Sequence, residues 1–368
     1  MKEWYSNRIY QKIVIEIRVW EVKDPLRRKN WKKGLSLLFL VVVFGLTLWS
    51  VFHGADLSET LYHLSTVNLH YVIPSILCVL LFIIGESVIL FYLMRILGVR
   101  ARLLHCCLYS FVGFFYSCIT PSASGGQPMQ VVTMRKDGIP VAVSTVVLAI
   151  VTITYKLVLV VIGTVTLLIR PASLMVYLEP VESLMYLGLA LNVICIAALL
   201  LLVFDPMLVR NLATFFLNLM NRIHPLRNMQ QKKERLDRVL NQYRGAASFY
   251  HTRPVVIVHV FLITLLQRCI LFFITWLTYR AFGLSGHSMP LIVNLQAMIS
   301  VAADMLPLPG GMGISENLFL DIFLPIFGED FVLPGMMVSR GISYYTQLLI
   351  SGVMTIAASL ILKGKTSE

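Results

Sequence analysis

Charged side chains interrupt several otherwise apolar stretches of this sequence. Three of them are basic: Lys156, Arg268 and Arg340. A basic side chain at the centre of an apolar helix costs about 2.5 to 3.5 kcal/mol, so such residues normally mark a functional site. Lysine and arginine bind phosphate through charge-assisted hydrogen bonds. We therefore predict that these three residues hold a phosphate or a related anionic head group.

Acidic side chains in the same stretches leave the role of the cations open. Glu86 lies in one apolar run, while Asp304, Glu316 and Asp321 lie in another. These carboxylates would cancel the positive field, complete ion pairs or carry a coupling proton, and Asp304 and Glu316 are the better functional candidates because they flank a break. The alternative is a structural bridge between Glu86 and one cation, although one acid cannot neutralise three bases.

Two breaks rich in glycine and proline, residues 121–128 and 307–313, lie inside apolar stretches. Their candidate binding residues are Gly125, Gly126, Gly310, Gly311 and Gly313. Glycine tolerates positive φ, so we expect backbone amides here to turn towards an anion. Irregular backbone at membrane depth persists only where it lines a protein-enclosed or watery cavity. Ser315 is predicted to cap a helix that starts after the second break.

The spacing of these features repeats in the two halves of the chain. Lys156 follows Gly126 by 30 residues, and Arg340 follows Gly311 by 29. Glu86 and Arg268 precede the two breaks by similar distances. Paired interruptions in corresponding halves of a membrane protein indicate a transport site, so we predict that the repeated residues occupy mirror-related places.

The composition of the chain indicates that a membrane protein positions these residues. The chain is 57% hydrophobic and only 14% charged, and its mean hydropathy is +0.78. We predict an all-α polytopic membrane protein with about six full spans and two re-entrant helical hairpins arranged as an inverted repeat. The predicted spans are residues 34–52, 71–94, 144–169, 183–204, 254–282 and 334–362, and the predicted hairpins are residues 103–134 and 291–327.

The distribution of basic residues predicts the topology. Basic clusters occupy the N-terminal segment 1–33, with a predicted interfacial helix, and the linker 205–253. Both are expected in the cytoplasm beside anionic lipid, with both termini inside. The first membrane half is then 34–204, with a cytoplasmic hairpin, and the second is 254–362, with an external hairpin. If residues 103–120 instead crossed the membrane fully, Arg135, Lys136 and the basic linker would lie outside.

Several functional classes are not expected. The net charge of +12 arises from membrane-flanking clusters, so we predict an anionic membrane surface rather than nucleic acid as their partner. The 6 cysteines lie in apolar segments without metal-ligand spacing, so we expect no metal site and no disulfide framework. We predict no cofactor and no catalytic residues, because no nucleophile and base converge in the sequence.

The second break, with Pro307, Pro309, Gly310–Gly311, Gly313 and Glu316, resembles the signature of the lysylphosphatidylglycerol synthase and flippase family. Residues 121–128 look like its counterpart in the first half, and the resemblance covers nearly the whole chain. In full-length members, a soluble C-terminal domain transfers an amino acid from tRNA to phosphatidylglycerol, and the membrane domain is implicated in moving the product. This sequence ends at Glu368, so we expect no transferase domain and no synthase activity.

The resemblance implies a flippase in the cytoplasmic membrane of a bacterium, with an aminoacyl-phosphatidylglycerol or a related anionic lipid as cargo. Two other classes stay open. One is a membrane-embedded lipid-modifying protein related to the lysyltransferases, and the other is a membrane partner of a separate lipid synthase. The lipid, the direction of movement, the energy source and the oligomeric state do not follow from the sequence.

Overall fold

The structure is a computed structural model of the 368-residue chain. It describes residues 62–120, 123–205, 207–208, 210–211, 214–215, 237, 239–248, 253–306, 308, 311 and 313–362. The predicted first span 34–52, the basic N-terminal segment with its predicted interfacial helix, and most of the linker 205–253 lie outside these residues.

The described part of the chain is helical and contains no strand. In chain order the helices are α1 (Leu69–Ile96), α2 (Leu103–Cys118), α3 (Gly126–Lys136), α4 (Val141–Ile169), α5 (Ala172–Leu178), α6 (Glu182–Phe204), α7 (Pro254–Ala281), α8 (Met289–Ala303), α9 (Ile314–Phe327), α10 (Glu329–Arg340) and α11 (Gln347–Ile361). A 3₁₀ turn joins α5 to α6, and a π-helical segment, Gly341–Thr346, joins α10 to α11.

Several of these helices are long and apolar enough to cross a membrane. The candidate spans are Leu69–Ile96, Val141–Ile169, Ala172–Val203, Pro254–Ala281 and Glu329–Ile361. Each overlaps a predicted span, and the ends differ by a few residues in most cases. The prediction of an all-helical, multi-pass membrane protein is confirmed, because apolar helices of this length satisfy their own backbone groups in hydrocarbon.

Both predicted hairpins are helix pairs separated by irregular backbone. In the first pair, α2 ends at Cys118 and α3 begins at Gly126. The start of α2 lies beside the end of α3, since His105 Nδ1 is 2.5 Å from an oxygen of Asp137. The second pair is α8 and α9. Apolar residues along both α8 and α9 enter the same hydrophobic core, and the two helices pack against each other.

Two large hydrophobic cores divide the bundle along its length. The first collects the ends of α1, α3 and α6 and the starts of α2, α4 and α7. The second collects the ends of α4 and α7 with α5, α8, α9 and the start of α10. Helix α4 contributes Ile150 to the first core and Leu159 to the second, so Lys156 lies between them. Arg268 lies at the corresponding level of α7.

The helices of the two halves pack against each other. Helix α1 packs along α7, α2 packs along α11, and α8 packs against α4 and α6. These contacts bring the irregular segment after α2 and the one after α8 to the middle of the bundle. The charged residues of α4, α7 and α10 therefore face the two breaks.

Candidate functional site

A cavity of about 430 Å³ lies between the two breaks. Its walls include residues of both breaks, among them Ala123, Gln127, Leu308 and Gly311. The predicted charged residues Glu86, Lys156, Arg268, Asp304 and Arg340 also line it. The structure thus brings together side chains that are more than 250 residues apart in the chain.

Lys156, Arg268 and Asp304 form one charge cluster in the wall of the cavity. The Lys156 ammonium pairs with Oδ2 of Asp304. Arg268 Nη2 lies 3.7 Å from Oδ1 of the same carboxylate, which is too long for a hydrogen bond. Two cations thus share one carboxylate, and the cluster carries one surplus positive charge.

Arg268 has unsatisfied hydrogen-bonding capacity. The residue is only 3% exposed, and its buried Nε and Nη2 atoms have no hydrogen-bond acceptor among the described residues. The guanidinium carbon lies 3.5 Å from the centre of the Tyr155 ring, so the side chain is held by stacking. Buried donors without acceptors are unfavourable, and they indicate a missing hydrogen-bond partner.

Arg340 has a different environment, because it pairs with Glu316. Its Nε donates to Oε1 of Glu316 at 2.8 Å, and the other oxygen of Glu316 accepts from the Gly313 amide at 2.7 Å. Glu316 is 3% exposed. This pair ties the last span to the start of α9, so Arg340 is engaged by protein rather than presented as an open phosphate ligand.

Glu86 does not form an ion pair with any cation of the described chain. Its Oε1 accepts a hydrogen bond of 2.6 Å from the side-chain amide nitrogen of Gln130. The proposed structural bridge between Glu86 and a cation is therefore not present in this structure. Gln130 reaches Glu86 because α3 packs closely on α2, where a Cβ on Gly113 would lie 2.3 Å from the Gln130 amide nitrogen.

The glycines of the first break serve close packing rather than an unusual backbone. Gly125 has φ −83°, so the expected positive φ is wrong for it, and the positive-φ residue of this break is Ala123 at +53°. A Cβ on Gly126 would lie 2.1 Å from Ser117 Oγ and 2.8 Å from the Gly113 carbonyl oxygen. Only glycine allows α3 to approach α2 this closely.

The glycines of the second break do adopt positive φ, with +69° at Gly311 and +84° at Gly313. Gly310 lies outside the described residues. The helix cap differs from the prediction, because α9 begins at Ile314 and Gly313 is its N-cap residue. Ser315 is the second residue of α9, two positions after the N-cap, and its amide already donates to the Gly311 carbonyl.

The candidate glycines that the structure describes donate their amides within the protein, so the expected turning towards an anion is not seen at these positions. The Gly125 amide donates to Thr120 Oγ1 at 2.9 Å, and the Gly311 amide donates to the Leu308 carbonyl at 3.2 Å. The amides of Gly126 and Gly313 also donate within the protein. The cavity wall carries side-chain donors instead, among them the charged groups of Lys156, Arg268 and Arg340.

Sequence reasoning did not identify the π-helical segment as part of the site. Tyr344 in this segment donates to the carbonyl of Cys118, the last residue of α2, at 2.8 Å. π-Helical turns are rare and concentrate at functional sites. The adjacent glycine and the polar run from Ser343 to Tyr345 were the available signals. Tyr155 and Gln130 were missed because single polar residues in apolar helices carry little information.

The described residues contain no group of three metal-ligating side chains. The cysteines are all free.

Comparison with known proteins connects this site to a family. A family model described as the lysylphosphatidylglycerol synthase TM region matches residues 35–351. The chain belongs to this family. The matched region of the family includes both breaks and every residue that lines the cavity, and membership supports a function related to membrane lipids. A search of curated proteins finds no match to the chain.

Proposed function

We propose that this protein is a lipid flippase, which moves a phospholipid head group through the central cavity while the acyl chains stay in the bilayer. The observation that carries the proposal is Arg268. It is buried in the cavity wall and stacked on Tyr155, and it has two donor atoms without acceptors. A phosphodiester supplies the oxygen acceptors that a guanidinium binds best.

The charge of the cluster agrees with a phosphodiester ligand. Lys156 and Arg268 together exceed Asp304 by one positive charge, and one phosphodiester carries one negative charge. Phosphatidylglycerol and its aminoacylated derivatives share this group, so the cluster accepts either head group. In this proposal Lys156 and Arg268 bind the phosphate, while Arg340, Gly313 and Glu316 hold the second break in shape.

We further propose that the helix pairs are re-entrant hairpins of an inverted repeat. Helices α2 and α8 contain 16 and 15 residues, or about 24 and 22 Å at 1.5 Å per residue. Both are shorter than the roughly 30 Å of hydrocarbon. The contacts of the two halves are also reciprocal. Lys156 of α4 reaches the end of α8, and Tyr344 near the start of α11 reaches the end of α2.

The proposed location is the cytoplasmic membrane of a bacterium, with both termini inside. The basic clusters before the first predicted span and between α6 and α7 support this orientation, because positively charged loops remain in the cytoplasm. The first hairpin then opens from the cytoplasm and the second from outside. Such an arrangement lets two mirror-related states expose one site to opposite sides.

Lipid translocation in vesicles tests the proposal. The full chain is reconstituted with phosphatidylglycerol that carries a fluorophore on a short acyl chain, and a membrane-impermeant reductant reports which leaflet holds the label. We expect protein-dependent translocation, and we expect Arg268→Ala to slow it at least tenfold, which corresponds to about 1.4 kcal/mol of lost interaction.

Arg170→Ala is the matched control, since Arg170 pairs with Glu182 in an exposed position away from the cavity. It should translocate lipid at the rate of the unmodified protein. Equal rates for Arg268→Ala and Arg170→Ala would rule out the phosphate site. If the unmodified protein translocates no phospholipid, the proposed flippase function is ruled out.

A further inference from the structure

Asp304 occupies the position that the proposed function gives to a phosphate. Its two oxygens face two different cations, with Oδ2 on Lys156 and Oδ1 3.7 Å from Arg268. The two non-bridging oxygens of a phosphodiester have the same bridging geometry available to them. The described chain provides no other carboxylate within 4 Å of either cation.

The carboxylate lies at a place where it can move without unwinding a helix. Asp304 is the C-terminal cap residue of α8, and irregular backbone begins directly after it. Its side chain is partly exposed to the cavity, at 16%. Among the described residues this side chain contacts Lys156 and Arg268, and no backbone group of these residues holds it in place.

Glu316 on the other side of the same break provides the contrast. One oxygen accepts from the Gly313 amide and the other from Arg340. Displacing Glu316 would remove both the ion pair and a hydrogen bond at the start of α9. The two carboxylates that flank the break therefore differ in their contacts. Glu316 is held by a backbone amide and by Arg340, whereas Asp304 is held, among the described residues, by the cations that the ligand needs.

We propose that Asp304 is an exchangeable internal anion of the transport site. It neutralises part of the charge of Lys156 and Arg268 when the cavity holds no lipid, yields them to the incoming phosphate, and takes them back when the lipid leaves. This inference rests on the proposed function and assigns to Asp304 the release step. Competition from a tethered carboxylate weakens binding, and it also prevents the lipid from remaining trapped on two unopposed cations.

The test combines a binding measurement with a transport measurement on the full-length protein. Short-chain phosphatidylglycerol below its micellar concentration is titrated into the protein in detergent, and translocation is followed in vesicles as above. We expect Asp304→Asn to bind at least tenfold more tightly than the unmodified protein and to translocate at least fivefold more slowly. A residue that only supported the fold would lower binding and transport together.

Asp321→Asn is the matched control, because Asp321 is an exposed acid of α9. It should leave both measurements unchanged. A second pair of variants covers the case in which Asp304→Asn fails to fold with two unopposed cations. Lys156→Met and Lys156→Met/Asp304→Asn differ only in the competing carboxylate and leave a single arginine, and the double variant should bind at least tenfold more tightly than the single one.

The outcomes separate this inference from the proposed function. If Arg268→Ala abolishes lipid binding while removal of Asp304 leaves binding equal or weaker in both backgrounds, the phosphate site stands and the exchange is wrong. If the unmodified protein neither binds nor moves the lipid, the proposed function fails and the exchange fails with it.

Discussion

The two breaks resemble each other in sequence and differ in physical character. The first contains no carboxylate, and its glycines let α3 pack against α2, with Gln130 carrying the polar contact to Glu86. The second is flanked by Asp304 and Glu316, and positive-φ glycines precede α9, where Glu316 pairs with Arg340. One break is a close-packed junction, whereas the other is an electrostatic one.

This difference teaches that a repeated spacing need not repeat its chemistry. The cations of both halves depend on the second break, because Asp304 pairs with Lys156 and Glu316 pairs with Arg340. If the halves exchange roles during transport, the carboxylates of all the described ion pairs in the cavity still come from the second half. Variants at matched positions of the two breaks test this asymmetry.

The largest effect is expected from Glu316→Ala at the second break. The substitution leaves the buried Arg340 guanidinium without its carboxylate and removes the acceptor of the Gly313 amide, so it should destabilise the protein by about 3 to 5 kcal/mol. Thermal unfolding in one detergent measures the change. Glu316→Ala combined with Arg340→Met should recover part of the loss, and a double variant as unstable as the single one would contradict the ion-pair explanation.

A smaller effect is expected from Gly126→Ala at the first break. The added methyl group would lie 2.8 Å from the Gly113 carbonyl oxygen, so α2 and α3 must separate, which should destabilise the protein by about 1 to 3 kcal/mol. Gly245→Ala is the control, because a Cβ there meets nothing within 4 Å. Unfolding temperatures that shift equally for both variants would show that the close contact is unimportant.

The smallest effects are expected at two positions with positive φ. Gly311→Ala places a side chain at φ +69°, with its Cβ 2.7 Å from Ser315 Oγ so that this side chain must shift, and should destabilise the protein by about 1 kcal/mol. Ala123→Gly makes the reverse change at φ +53° in the first break, and it should change stability by less than about 0.5 kcal/mol, because relieved strain offsets the added freedom of the unfolded chain. A clear loss of stability in Ala123→Gly would show that the methyl group of Ala123 packs.

Much of the fold could be predicted because hydrophobic length is a local property. The spans represented by α1, α4, α6, α7 and α10–α11 follow from apolar runs of sufficient length, and the two breaks follow from glycine and proline. The start of α9 was harder to predict from the sequence. Ser315 is a residue type that often caps helices, but Gly313 is the N-cap in the structure, and its amide donates to Glu316. Competition between neighbouring caps is decided by packing.

The residues of the candidate site could be predicted from the sequence, but the ion pairs between them could not. The energetic penalty of a charge in hydrocarbon singles out Lys156, Arg268 and Arg340 from composition alone. Their partners depend on which helix ends meet, and those contacts join residues up to 148 positions apart.

The sequence by itself determined that this is a multi-pass helical protein with a polar, charged centre, because hydrophobicity, charge and glycine content act along the chain. Only the tertiary structure decided that Asp304 pairs with Lys156 and lies near Arg268, and that Glu316 pairs with Arg340. It also decided that Arg268 has donor atoms without acceptors among the described residues. Ion pairs form over a few ångströms, and the distances between side chains on different helices are set by how the helices pack rather than by their order in the chain.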